Sequence, residues 1–332
     1  MIEPICTEKA DLIFKELKEE CENLFELKIR KVTPINRGWL NLKWKLETDT
    51  GVYVLKQYNK DRYKLYDPDL LLQALQQQQR LHNNGVHCPK LLTHKNDILH
   101  TSKCNERFIV LEHKEGEMVS PGKVNKKQIN SLGQMIGSMH KLLNDGSLIK
   151  GKNTQFVPPA QENRLLHWEN KIKEANQLGK QDILPFIKLQ KEVTKFVDTE
   201  PFQASIKGWA HRDLWVDNFL FHKDNVSAIL DFDRMGYDYL DLDIGRAIIS
   251  CALDDGNLNM ELVASFLEGY RKELDFSAGR IVQSIQMLWY MESTWWIHTN
   301  IDQHSVPPMR FAEEMIWIAE NYGELHNVLA YL

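Results

Sequence analysis

Between Gly208 and Phe232 the chain reads GWAHRDLWVDNFLFHKDNVSAILDF, and four of these residues are acidic: Asp213, Asp217, Asp224 and Asp231. They stand among Trp209, Trp215 and Phe219, where desolvation makes an isolated charge expensive. In one reading the segment is a solvated hairpin whose carboxylates point to water. In the other it is a metal-and-phosphate site, where cations and phosphates compensate the acids. The spacing favours the second. H-R-D-L-x-x-x-N covers His211 to Asn218, and Asp231 opens a DFD thirteen positions after Asn218. Phosphoryl transfer needs few groups, placed well. A carboxylate must orient an acceptor hydroxyl and take its proton, a role that falls to Asp213. Magnesium on nucleotide phosphates needs hard oxygen ligands, which the Asn218 amide and the Asp231 carboxylate supply. Asp217 and Asp224 are expected to face water.

The elements that must position these groups are legible in outline. FLFH and AILDF read as strands around the turn-like KDN, an arrangement expected to bring Asn218 and Asp231 to one edge. Upstream, LNLKWKLET alternates, DTG supplies turn residues and VYVLKQY is rich in β-branched and aromatic residues, which predicts a hairpin. Lys56 in that second strand is an ammonium of the kind that pairs with nucleotide phosphates; a lone lysine there is otherwise a solvated edge residue. The preceding turn, PINRGWLN, contains Gly38 and Asn41, and its backbone N–H groups suit phosphate oxygens. PDLLLQALQQQQRLHNNGV has helical spacing, Pro68 near its start and Gly85 beyond its end. RFIVLEH is another strand, and the polar KEGEMVSPGK a connector. Helical patterns dominate from there on. The expected fold class is α+β, with a small β-rich N-lobe (1–113) and a larger, mainly helical C-lobe (114–332).

Composition narrows the function classes. The 332 residues are 43% hydrophobic and 26% charged, as in ordinary globular proteins, and the length suits two lobes. A formal net charge of -5 provides no basic field for nucleic acid. The N-terminal stretch does not read as a signal peptide, and no apolar run approaches the ~20 residues of a bilayer span. Cys6, Cys21, Cys88, Cys104 and Cys251 are scattered, without C-x-x-C spacing, which suits reduced thiols. A cytoplasmic protein without nucleic-acid or membrane partners is the expectation.

These motifs, in this order, resemble the aminoglycoside phosphotransferase and choline kinase superfamily, the small-molecule branch of the protein-kinase-like fold. The resemblance spans roughly residues 25 to 300. NRGWLNLKWKLETDTGVYVLK looks like its nucleotide-loop hairpin, and RFIVLEHKEGE like its hinge strand, where backbone near Glu112 and Lys114 would meet adenine. LGQMIGSMHKL resembles its Leu-His helix, and HRDLWVDN its catalytic loop, which often has Gly where this chain has Arg212. ILDFDRMGYDYLDLDIGRA is similar to the metal-binding strand and the segment after it, with Asp243 matching an aspartate that braces the catalytic loop. The resemblance implies ATP-dependent phosphorylation of a hydroxyl on a small molecule, with ATP and Mg2+, a catalytic set of His211, Asp213 and Asp243, and nucleotide contacts at Gly38, Asn41, Lys56, Glu112 and Lys114.

The departures are informative. Only eleven residues separate Asp231 from Asp243, and no A-P-E follows. That leaves no room for a protein-kinase activation loop and argues against a protein substrate. Arg212 is therefore assigned a packing or hydrogen-bonding role. The helix after Lys56 lacks the glutamate that would pair with it; Gln79 is nearest by register. Asp233 is expected to cap a local turn. For the acceptor, MLWYMESTWWIHTN presents Trp289, Glu292 and Trp296, an arrangement that suits an ammonium group if it is not simply core. Homoserine-kinase-like and spore-coat-kinase-like bacterial members look nearest, so homoserine or another amino alcohol is the first acceptor. The alternative is a kinase-fold binding or structural protein with little turnover.

Overall fold

The computed structural model of the chain describes residues 7–36, 41–64, 67–303 and 308–332. They divide into two compact units. The first comprises residues up to Glu117 together with Leu220–His222 and Ser227–Met235; the second comprises Met118–Phe219, Lys223–Val226 and Gly236–Leu332. A linear boundary at 113/114 misses the two later segments that the first unit recruits.

The first unit is built on an antiparallel sheet of order β1-β2-β3-β5-β4, from β1 (Ile29–Pro34), β2 (Leu42–Thr48), β3 (Val52–Tyr58), β4 (His100–Thr101) and β5 (Arg107–Glu112). The predicted hairpin is β2–β3, with Lys43 opposite Lys56 and Trp44 opposite Leu55. Side chains alternate between the sheet faces with period two. Leu55 and its cross-strand partner Val110 join Trp44, Leu46 and Phe108 in one core cluster. Helix α1 (Thr7–Phe25) contributes Ile13, Leu17 and Cys21 to that cluster, a spacing of four that lines one helix face. The opposite parity, Tyr58 and Ile109, packs against Leu71 and Leu75 of α3 (Pro68–Asn83), which follows the short α2 (Lys60–Tyr63). Lys56 shares that second parity. Helix α3 starts with Pro68 in its first turn, as the sequence predicts, and Asp67, which the sequence reading did not single out, caps it by accepting from the Asp69 and Leu70 amides.

The second unit is mainly helical. Its helices are α4 (Lys126–Leu143), α5 (Gln161–Gln177), α6 (Leu184–Thr194), α7 (Glu200–Ala204), α8 (Leu240–Ala252), α9 (Met260–Arg271), α10 (Arg280–Trp296), α11 (Pro308–Asn321) and α12 (Leu325–Leu329). Strand β6 (Lys207–Ala210) pairs with β9 (Gly236–Tyr239), and β10 (Leu253–Asp254) with β11 (Asn257–Leu258). The predicted strand, turn, strand is a two-stranded sheet of β7 (Phe219–His222) and β8 (Asn225–Ile229), most of which belongs to the first unit; its second strand begins earlier than AILDF and ends before Asp231. Helix α4 opens with a capping box between Asn125 and Gln128 and lies close against α9. The approach is close because Gly133 and Gly269 face it: a Cβ at either would overlap a carbonyl oxygen of the other helix, Phe266 or Asn130. Helix α8 is buried along its whole length, so each of its polar side chains needs a partner. Asp241 pairs with Arg280, Ser250 accepts from the Val216 amide, and Asp243 and Arg246 reach the candidate site.

No described helix is long and apolar enough to cross a membrane.

Candidate active site

In the first unit, β3 delivers Lys56 to two carboxylates. Its Nζ lies 2.7 Å from Asp231 Oδ1 and 2.6 Å from Asp233 Oδ2. The Tyr58 hydroxyl donates to Asp233 Oδ1 at 3.0 Å, and Lys43 Nζ stands 3.7 Å from Asp231 Oδ2. Burial alone would lower the lysine's affinity for its proton, but the charges of Asp231 and Asp233 outweigh it and hold the ammonium above its ordinary range. Lys56 is therefore no solvated edge residue. Gln79 is not its partner either: the Gln79 amide donates to Asn83 and accepts from the Leu91 backbone. Asp233 does not act as a simple turn cap, since both its oxygens serve β3. Asp231 has left-handed backbone geometry (φ 62°, ψ 63°) at the start of the turn Phe232–Arg234.

The other nucleotide candidates also lie in this unit. Asn41 Oδ1 accepts the Asn59 amide at 3.1 Å, tying the start of β2 to the end of β3. Gly38 lies outside the described residues. Glu112 and Lys114 pair at 2.9 Å, which pulls the glutamate's affinity for protons down. The backbone amide of Glu112 donates to Lys90 and that of His113 to Val52.

In the second unit, β6 leads into the loop that carries His211, Asp213 and Asn218. Asp243 braces this loop. It is almost fully buried, with Oδ2 accepting from the His211 amide and Oδ1 from the Arg212 amide, both at 2.7 Å. His140 Nε2 meets Oδ2 at 3.0 Å, and His140 Nδ1 meets the Tyr270 hydroxyl at 3.0 Å. Burial opposes ionisation of Asp243, yet these bonds and the neighbouring histidines overcome it and keep the carboxyl below its usual range. The two amide bonds hold Arg212 at φ +67°, a conformation natural to glycine. The Arg212 side chain donates from Nε to Asp238 Oδ2 at 2.8 Å, reaches Gln155, and lies over the Phe156 ring at 4.2 Å. Its predicted packing and hydrogen-bonding role matches these contacts.

Asp213 is held by its own loop. Trp215 Nε1 donates to Oδ1 at 3.2 Å, and Asn218 Nδ2 donates to the Asp213 carbonyl at 2.8 Å and to Oδ2 at 3.2 Å. With its nitrogen so engaged, Asn218 has its amide oxygen to offer a cation. His211 is fully buried, and its Nδ1 accepts from the Asp213 amide at 3.3 Å. Asp217 pairs with Arg310 and Asp224 with Lys127, each with the carboxylate side chain 45% exposed.

Behind Trp215 lies a group of which sequence reasoning named Glu292 and Trp296 and missed Arg246, Glu314 and Phe311. The Arg246 guanidinium stacks on the Trp215 ring at 3.5 Å and pairs with Glu292 and Glu314. Phe311 contacts the same ring, and Trp296 packs on Phe311 while donating Nε1 to Glu292 at 3.3 Å. Of the acceptor candidates, Glu292 and Trp296 are thus joined to the loop from His211 to Asn218 through Arg246 and Trp215. Trp289 is not. It is fully buried, its indole donating to Gln190 at 2.6 Å and its ring against Tyr322, so it belongs to the core.

Taken singly, the Asn218 amide oxygen and the partly exposed Asp231 carboxylate are each hard oxygen ligands of the kind magnesium takes. Among the described residues no cluster of three or more His, Cys, Asp or Glu side chains forms a self-sufficient metal cage.

The chain is similar to known proteins in sequence and in fold. The sequence profile of the phosphotransferase enzyme family matches residues 31–276. A homoserine kinase of Hyphomonas neptunium is 27% identical over 251 residues, 74% of this chain and 68% of that protein. A homoserine kinase of Sinorhizobium medicae is 26% identical over 250 residues, 74% and 72% of the two chains. Among solved structures, an amicoumacin kinase in complex with AMP-PNP, Ca2+ and Ami superposes with a TM-score of 0.63 at 17% identity, covering 95% of this chain and 96% of the other. A microcompartment-associated aminopropanol kinase gives 0.62 at 15% identity, covering 94% and 99%. These neighbours share the protein-kinase-like α+β fold. With three quarters of its length matched by the family profile, the chain belongs to the phosphotransferase enzyme family.

Proposed function

We propose that this phosphotransferase transfers the γ-phosphate of ATP to a hydroxyl of a small molecule, with a small amino alcohol, homoserine first, as acceptor. The observation that most supports this reading is the carboxylate of Asp213, held by Trp215 and Asn218 in a loop whose backbone is pinned by Asp243. In the proposed reaction Asp213 takes the acceptor's hydroxyl proton, the acceptor oxygen bonds to the γ-phosphorus, and the bond to the β-phosphate bridging oxygen breaks to release ADP. Lys56 neutralises phosphate charge, and Asn41 and Gly38 belong to the segment that covers the phosphates. Adenine is read near Glu112 to Lys114; because the Glu112 and His113 amides are already donated to the Lys90 and Val52 carbonyls, its contacts are expected at other backbone groups of that stretch. Asn218 and Asp231 would hold magnesium, which supplies charge neutralisation to the transferring phosphoryl group.

The choice of acceptor rests on the names of the relatives, homoserine kinases in the sequence comparison and an aminopropanol kinase among the folds. Glu292 and Trp296 are proposed to face the acceptor's ammonium.

The test is an ADP-release screen against homoserine, other amino alcohols, sugars and aminoglycosides. Acceptor-dependent ADP release with an amino alcohol is expected. Nucleotide binding without release for any acceptor would favour a binding protein on the same fold.

A further inference from the structure

Helix α3 offers Lys56 no carboxylate. Its acidic residue, Asp69, is exposed in the first turn, while Leu71 and Leu75 pack towards Tyr58 and Ile109. Its buried Gln78 donates to the Pro89 carbonyl. An unpaired ammonium on a buried strand position would be unstable, so something else must hold it.

We propose that Asp233 is the positioning residue for Lys56, doing from the metal-binding turn what a helix carboxylate would otherwise do, with Asp231 as an exchangeable second partner. This rests on the phosphotransferase reading above and adds a role to that site. Three observations carry it. The two carboxylates differ in burial: the Asp233 side chain is 5% exposed and that of Asp231 29%. Asp233 uses both oxygens on one face of β3, one for Lys56 and one for the Tyr58 hydroxyl two residues on, which fixes the carboxylate in two directions. And Lys56 is flanked by two negative charges where one would suffice. When Asp231 turns to a cation, Asp233 keeps the ammonium paired and aimed; Asp233 itself is too enclosed to make that exchange.

The test is a double-mutant cycle of Lys56→Met and Asp233→Asn, read both by ligand-free melting and by turnover. Lys56→Met strands a buried carboxylate, so melting should fall by several degrees, and adding Asp233→Asn should recover part of that loss. In turnover, Asp233→Asn alone should lower kcat about 10- to 100-fold, the scale of a misplaced phosphate contact, and should cost nothing further in the Lys56→Met background. Tyr58→Phe, which removes one hydroxyl, should show the same dependence on Lys56 at smaller size, and it carries the test if Asp233→Asn does not fold. Additive melting shifts, or a kcat for Asp233→Asn within twofold of wild type, would overturn the assignment. A wild-type protein inert towards every acceptor would remove the phosphotransferase reading, and the ligand-free melting cycle would then decide the anchoring role alone.

Discussion

Replacing Arg212 by glycine sets two structural effects against each other, and their magnitudes decide the sign. At φ +67° a side chain costs about 1–2 kcal/mol that glycine does not incur, so backbone considerations alone predict a more stable protein. Against this stands Asp238, fully buried and paired with the Arg212 guanidinium at 2.8 Å. Removing one partner of a buried pair costs about 3–5 kcal/mol, and the stacking on Phe156 is lost as well. The Tyr239 and Phe156 amides still donate to Asp238, which softens the loss. We predict a net destabilisation of about 2 kcal/mol, or roughly 4–8 °C in melting temperature for a unit of this size. The effect should depend on pH. Burial, opposed by Arg212, raises the Asp238 carboxyl from 3.8 to about 6. The folded state therefore binds a proton more tightly than the unfolded chain, and the cost of the buried charge is felt above about pH 6 and relieved below it. Without the guanidinium that carboxyl should rise further, so the deficit of Arg212→Gly should be larger at pH 8 than at pH 5. Thermal melts of the two proteins at both pH values provide the assay. A variant as stable as wild type at pH 8, or a deficit that does not shrink on acidification, would refute the reasoning.

Three further outcomes are expected. Trp215→Phe keeps a ring for Arg246 and Phe311 but removes the donor to Asp213, so kcat should fall about tenfold with the KM for ATP unchanged; equal kcat would show that the indole bond is incidental. Asp231→Ala should abolish the magnesium dependence of nucleotide binding, as measured by calorimetric titration at varied Mg2+, and a wild-type titration would remove Asp231 from the metal site. Gly269→Ala places a methyl group on the Asn130 carbonyl and should lower stability by about 1–3 kcal/mol in urea unfolding; an unchanged midpoint would mean that α4 and α9 separate more easily than their packing suggests.

What the sequence disclosed was what local spacing encodes. The β2–β3 hairpin, helix α3 and the loop from His211 to Asn218 each announce themselves locally, through alternation, a helical spacing bounded by Pro68 and Gly85, or a fixed interval between polar groups. The bracing of that loop by Asp243 was available only through family resemblance, because Asp243 stands 31 positions after Arg212 and no periodicity links them. The pairing of Lys56 with Asp233 spans 177 positions, and a helix without glutamate pointed to Gln79 instead. A signal was present: DFD carries a second acid, Asp233, two positions after Asp231. Helix α1, which closes one face of the sheet with Ile13, Leu17 and Cys21, carries apolar residues at intervals of four among many charges and was passed over. The aromatic run in α10 illustrates the converse. Trp289 and Trp296 are the same residue type seven positions apart, yet one is enclosed by α6 and Tyr322 and the other reaches the Arg246 cluster. Composition alone does not distinguish core from site.

The most direct measurement follows phosphorus itself: 31P NMR of the protein with ATP, magnesium and homoserine or another amino alcohol. A phosphomonoester signal growing in step with ADP for the wild type, and absent for Asp213→Asn, is the predicted result. Inorganic phosphate as the sole product, or an Asp213→Asn spectrum identical to wild type, would contradict transfer to a hydroxyl activated by Asp213.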